Sequence, residues 1–112
     1  MTQKSLATKS CFACEAGTPP LNGQEIKKYM QQISPSWQVL ENKKIKKEFK
    51  FKDFGEAMRF VNKVADIANN EGHHPDLYIF YNLVKIELWT HVANGLSEND
   101  FIMAAKIDLI KV

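Results

Sequence analysis

The order of hydrophobic periodicities in this chain predicts an α+β fold, an antiparallel four-stranded sheet with helices packed on one face, in the sequence α-β-β-α-β-β-α. Three observations carry that expectation. Apolar residues recur at helical spacing in three separate stretches, two pairs of alternating segments lie between them, and each pair closes through a turn.

Residues 1–20 contain Gly17, Pro19 and Pro20 and show no apolar period, so they read as a flexible N-terminal tail ahead of one folded domain over 21–112. Asn22 is a plausible helix cap, and Ile26, Tyr29, Met30 and Ile33 follow at helical spacing until Pro35 stops the run. Residues 37–40 and 45–51 then read as strands around an Asn42-Lys43 turn. In the second, Ile45, Phe49 and Phe51 share a face opposite Lys46, Glu48 and Lys50.

Asp53 followed by Glu56 resembles a capping box, and Phe54, Ala57, Met58, Val61, Val64, Ala65 and Ala68 trace the apolar stripe of a long helix. Gly72 ends it, and Pro75 keeps the exit extended. Residues 77–80 and 83–92 form the second strand pair, joined through Tyr81-Asn82, where asparagine tolerates a left-handed backbone. Val84, Ile86 and Leu88 point to the core, and Lys85, Glu87, Trp89 and His91 point away from it. Asn94-Gly95 breaks the strand. Ser97, with Asp100 three residues on, caps a last helix whose buried positions are Met103, Ile107 and Ile110.

Composition narrows the function classes. A net charge of +2 is too small for the basic field of a typical nucleic-acid binder. The cluster Lys43, Lys44, Lys46, Lys47, Lys50 and Lys52 is diluted by Glu41, Glu48 and Asp53, and reads as the solvated, aggregation-blocking surface of an edge strand. The longest apolar run, residues 77–81, is far below the roughly 20 residues that span a bilayer. Residues 1–10 lack the apolar centre of a secretory signal, so the expected location is cytoplasmic, with neither nucleic acid nor membrane as partner. Trp89 on an otherwise charged sheet face suggests a homo-oligomer, dimer or tetramer.

Cys11 and Cys14 form one Cys-x-x-Cys pair. No second pair completes a four-ligand zinc site, and prolines follow where a redox motif would start a helix. Two reduced thiols are the expectation, with zinc shared between subunits as the alternative.

The 3 histidines are gathered in two places: His73 and His74 in Glu71-Gly72-His73-His74-Pro75, and His91 at the end of Leu88-Trp89-Thr90-His91. Imidazole both gives and takes a proton near neutrality, so this placement points to an acid/base or a metal site. The plain alternative makes His73 a cation at a helix C-terminus and His74 a donor to a backbone carbonyl. Adjacent side chains diverge, and no His-x-x-x-His or His-Glu-x-x-His pair is present, which favours acid/base chemistry without a metal.

These residues resemble the pterin-4a-carbinolamine dehydratase family, the 4a-hydroxytetrahydrobiopterin dehydratases. The similarity runs over residues 21–111: His73-His74-Pro75, Tyr81-Asn82, Thr90-His91, Gly95-Leu96-Ser97 and Asp100, with Trp37, Phe49-x-Phe51-x-Asp53-Phe54 and the alanine-rich last helix. The cysteine pair is similar to one in some bacterial members. The resemblance implies a hydro-lyase that removes water from 4a-hydroxytetrahydropterin to give quinonoid dihydropterin, in recycling of the pterin cofactor of aromatic amino acid hydroxylases. It implies no metal, nucleotide or redox cofactor.

Carried across, His73, His74 and His91 are the implied catalytic group, and Pro75, Thr90, Val92 and Ala93 the implied pterin-pocket lining. His73 and His91 would donate to the leaving hydroxyl, while His74 orients the ring or accepts the N–H proton. Asp100 stands where the family has an acid, and its role as helix-start partner of Ser97 explains it as well. Many members carry an acid four residues before the first histidine, where this chain has Asn69; Glu71 is the nearest candidate to stand in. Some animal relatives also serve as a dimerisation cofactor for a homeodomain transcription factor, so a non-enzymatic binding module is the alternative function.

Overall fold

The computed structural model describes residues 5–13 and 15–112, with helices α1 (Gly23–Met30), α2 (Phe54–Glu71) and α3 (Glu98–Asp108). Strands are β1 (Gln38–Leu40), β2 (Lys44–Lys50), β3 (Asp76–Phe80) and β4 (Leu83–Leu88), all antiparallel, in the order β1-β2-β4-β3. This is the α+β architecture that the sequence predicts.

Register explains why one sheet face is buried. Ile45 stands opposite Leu88 and Phe49 opposite Val84, so the apolar alternation of β2 and β4 coincides. Ile45, Val84, Ile86 and Leu88 are fully buried under Phe60, Val64 and Ala68 of α2 and Phe101, Ile102 and Met103 of α3. Each such side chain stabilises by about 1.5–3 kcal/mol relative to exposure. A one-residue slip of β4 would therefore put Lys85 and Glu87 into that layer, which is why the register is fixed.

Both long-helix ends follow from local chemistry. Asp53 Oδ1 accepts from the Glu56 N–H at 2.9 Å, and Glu56 Oε1 accepts from the N–H of Lys52 at 3.1 Å, one residue before the position that a strict capping box would use. Gly72 closes α2 with φ 68°, a left-handed backbone that glycine adopts without a Cβ penalty.

Several expectations need correction. The lysine-rich strand is interior: β1 and β3 form the edges, and β2 pairs on both sides. Lys44 reaches Glu87 at 3.6 Å and Lys47 reaches Asp108 at 2.6 Å, so these cations serve ion pairs rather than an edge. β4 ends at Leu88 instead of 92, and His91–Ala93 is a single 3-10 turn, because Thr90 bridges Gly95 and folds the chain back. At the hairpin tips the left-handed residues are Glu41 with Asn42, and Tyr81 rather than Asn82. Phe54 of the stripe is exposed, whereas Phe60, outside it, is buried.

The N-terminal stretch is the largest departure. Leu6 is buried, and its one-turn helix Leu6–Thr8 packs on α3. Lys106 Nζ donates to the Ala7 carbonyl at 3.0 Å. Later, the Leu21 N–H donates to the Leu96 carbonyl at 2.8 Å, beside Pro20 packed so closely on Gly95 that a Cβ there would lie 2.7 Å from the proline ring. An isolated leucine among polar residues gives no period, so docking of this segment has no local sequence signal. Cys14, half of the expected thiol pair, lies outside the described residues.

Candidate active site

Two chain reversals build the site. The left-handed Gly72 turns the chain out of α2 and delivers His73 and His74 at the start of β3, while the 3-10 turn after β4 delivers His91. β3 and β4 are paired neighbours, with Asp76 opposite Glu87, so the start of one strand and the exit of the other lie at the same end of the sheet. All three histidines line one cavity of about 410 Å³. That volume lies in the range of small-molecule sites.

Each imidazole is held differently. His73 Nε2 lies 2.7 Å from Asp100 Oδ1; the carboxylate is fully buried and the His73 side chain 12% exposed. The other Asp100 oxygen accepts from the Thr90 hydroxyl and from the Ser97 N–H, both at 2.9 Å, and Thr90 Oγ1 also lies 2.7 Å from Ser97 Oγ. Asp100 thus completes the capping box of α3 and contacts His73 at once. With Nε2 engaged by Asp100, Nδ1 is the ring nitrogen of His73 that this contact does not use.

His74 is exposed, and its Nε2 lies 3.2 Å from Asn69 Oδ1. Asn69 therefore meets the second histidine through its amide oxygen. Exposed His91 stacks on Trp89 at 3.9 Å between ring centroids. Trp89 in turn donates its indole N–H to Asp76 Oδ2 at 3.1 Å and receives Lys44 Nζ over its ring at 5.0 Å.

Of the expected pocket residues, Thr90 and Val92 line the cavity, whereas Ala93, which is buried, and Pro75, which is half-buried, do not. Glu71 is not brought to the imidazoles. Its Oε1 accepts from the Cys11 N–H at 2.8 Å and its Oε2 lies 3.6 Å from Lys106 Nζ. The Cys11 hydrogen bond holds its carboxyl below the usual carboxylate value, with Lys106 adding to the effect against the opposing cost of burial. Burial, reinforced by the negative charge of Glu71, pushes the Cys11 thiol up to about 12. Sequence reasoning missed Phe12, Ala13 and Asn99 as lining residues, since nothing local ties positions 12 and 13 to position 99. Among the described residues, no group of three or more His, Cys, Asp and Glu is gathered as a metal-ligand set.

This histidine constellation coincides with a family match: the model for pterin 4 alpha carbinolamine dehydratase covers residues 19–110. The chain belongs to that family. A relative from Nitrosospira multiformis named for this dehydratase is 50% identical over 109 residues, 97% of this chain and 95% of its own length. Another from Alkaliphilus metalliredigens is 47% identical over 104 residues, covering 93% and 94%. Among solved structures, a Brucella melitensis protein described as a transcriptional coactivator/pterin dehydratase superposes with a TM-score of 0.74 at 34% identity, over 80% of this chain and 95% of its own. A pterin dehydratase-like RuBisCO assembly factor of the alpha-carboxysome, at 23% identity and TM-score 0.56 over 65% and 86%, shares the dehydratase fold alone. No helix among the described residues is long and apolar enough to cross a membrane.

Proposed function

We propose that this member of a hydro-lyase family removes water from a 4a-hydroxytetrahydropterin, giving quinonoid dihydropterin for later reduction in the recycling of a hydroxylase cofactor. The observation that carries the proposal is the meeting of all three imidazoles on one cavity. The reaction breaks the C4a–O bond. Hydroxide leaves with the bonding electron pair and takes a proton from an imidazolium, becoming water, while the adjacent ring N–H passes its proton to a neutral imidazole as the C=N bond forms.

His73 and His91 are assigned as the donors and His74 as the acceptor or ring-orienting group. A donor must present its ring in a fixed orientation, which the 2.7 Å contact of Nε2 with a buried carboxylate gives His73. His91, fixed by stacking rather than by a carboxylate, stays open to solvent for reprotonation. His74, held at Nε2 by the Asn69 amide and exposed at the cavity, is left as the ring-orienting group or acceptor. Thr90 and Ser97 act through Asp100 as positioning residues.

The test is a dehydration assay on the purified protein with a 4a-hydroxytetrahydropterin, with and without chelator. Turnover that survives chelation and is lost in His74→Ala and His91→Ala is expected. Unchanged turnover in both variants sinks the assignment, and chelator-sensitive turnover sinks its metal-free form.

A further inference from the structure

One wall of the cavity plays no part in the acid/base scheme, and it is formed by Phe12 and Ala13, carried in by the N-terminal stretch. That stretch is fastened along its length. Leu6 is buried at 3% exposure, Ala7 is held by Lys106, and the Cys11 N–H is held by Glu71. At Phe12 a single side chain grips the backbone on both sides, the Phe12 N–H donating to Asn99 Oδ1 at 3.0 Å and Asn99 Nδ2 donating to the Phe12 carbonyl at 2.6 Å.

The fasteners belong to the same elements as the catalytic set. Glu71 ends the helix that hands the chain to His73, and Asn99 directly precedes Asp100 in the first turn of α3. The position of the segment is therefore tied to that of His73. Its aromatic ring is not used for core packing: Phe12 is 53% exposed, against 2% for Phe60 and 0% for Phe101. A fixed backbone presents a large, half-exposed aromatic side chain to a cavity that the Trp89–His91 stack also lines. Such a surface suits a flat conjugated ring, because aromatic faces and edges attract one another beyond simple area burial.

We propose that Phe12 contacts the substrate and sets affinity for the bicyclic pterin ring, with residues 5–13 acting as an arm that Asn99 and Glu71 hold against the site. The inference rests on the dehydratase reading and adds a recognition residue to it. Because the contact is with the ring system, its loss raises KM for 4a-hydroxytetrahydropterins whatever substituent they carry. Phe12→Ala is expected to raise KM about three- to tenfold, the range of one aromatic contact, with kcat within about twofold. Phe12→Tyr restores KM. Asn99→Ala raises KM by releasing the same ring, so adding Phe12→Ala to it costs little more, as expected for two residues that act as one unit.

Steady-state kinetics of the full-length wild type and these variants decide the matter, with Phe12→Leu replacing Phe12→Ala if the latter does not fold by circular dichroism. An active wild type with unchanged KM in the Phe12 variants overturns the arm's role and leaves the dehydratase reading standing. Fully additive effects of Phe12→Ala and Asn99→Ala overturn the holding role. A wild type without turnover overturns both the reading and the inference.

Discussion

His73 and the pair His74 and His91 share a cavity but are fixed by opposite means. His73 is tied to a carboxylate with zero exposure, itself bound by a hydroxyl and a backbone N–H that belong to the cap of α3. His74 and His91 are exposed, one on a neutral amide and one on an indole face. Chemistry and stability are therefore coupled on the first side and separable on the second. Removing a partner from a buried network leaves an unpaired polar group, whereas trimming an exposed ring returns it to water.

The largest effect that breaks this contrast open is on turnover. His91→Ala and His74→Ala should each lower kcat by about 10²-fold or more, the usual worth of a positioned acid or base. Their thermal melting should stay close to wild type. A destabilised His91→Ala protein would show that the exposed side is structural after all.

His73→Ala should lose turnover and in addition about 1–3 kcal/mol of stability, since a buried carboxylate oxygen loses its partner. Asp100→Asn should destabilise by a similar amount, about 1–3 kcal/mol, because its amide turns one acceptor into a donor facing other donors. Urea unfolding measures both, and midpoints equal to wild type would remove the proposed coupling.

On the exposed side, Asn69→Asp puts a carboxylate where His74 now meets an amide oxygen. An adjacent anion favours the imidazolium, so the limb of the pH–rate profile that depends on neutral His74 should move to higher pH. A profile that keeps its position would separate His74 from the proton acceptor.

The arm offers a smaller contrast. Its carboxylate anchor, Glu71, is held below the usual carboxylate value, first by the Cys11 N–H and then by Lys106. A depressed carboxyl stabilises the fold fully above its unfolded value and loses that contribution as pH falls through the folded one. Glu71→Gln should therefore be less stable than wild type near neutral pH, and the gap should close in acid. A gap independent of pH would mean that the charge of Glu71 is not what holds the arm.

The smallest effect concerns Cys11, whose thiol burial pushes up to about 12. With its folded value raised, the neutral thiol favours the fold at all pH below the unfolded value, and the contribution fades only as pH climbs toward 12. In a Cys14→Ser background, alkylation at pH 8 should be far slower than for a free thiol, which reacts as its thiolate. A rate equal to that of a free thiol would show the arm detached in solution.

Legible in the residues alone are the fold class and the family. Period-two alternation in β2 and β4, helical spacing in α2, and the caps at Asn22, Asp53 and Ser97 are local signals, because each depends on residues within one turn or one strand. The histidine pair could be placed at a helix exit for the same reason, with Gly72 and Pro75 on either side. Tertiary structure alone decided which strand lay at an edge, that Asn69 serves His74 while Glu71 turns to Cys11, and that Phe12 reaches the cavity through Asn99. The contacts of Glu71 with Cys11 and of Phe12 with Asn99 join residues far apart along the chain, and that of Asn69 with His74, five residues on, depends on how the chain leaves α2. They carry no period that a sequence can display, since packing, not spacing, brings them within hydrogen-bond reach.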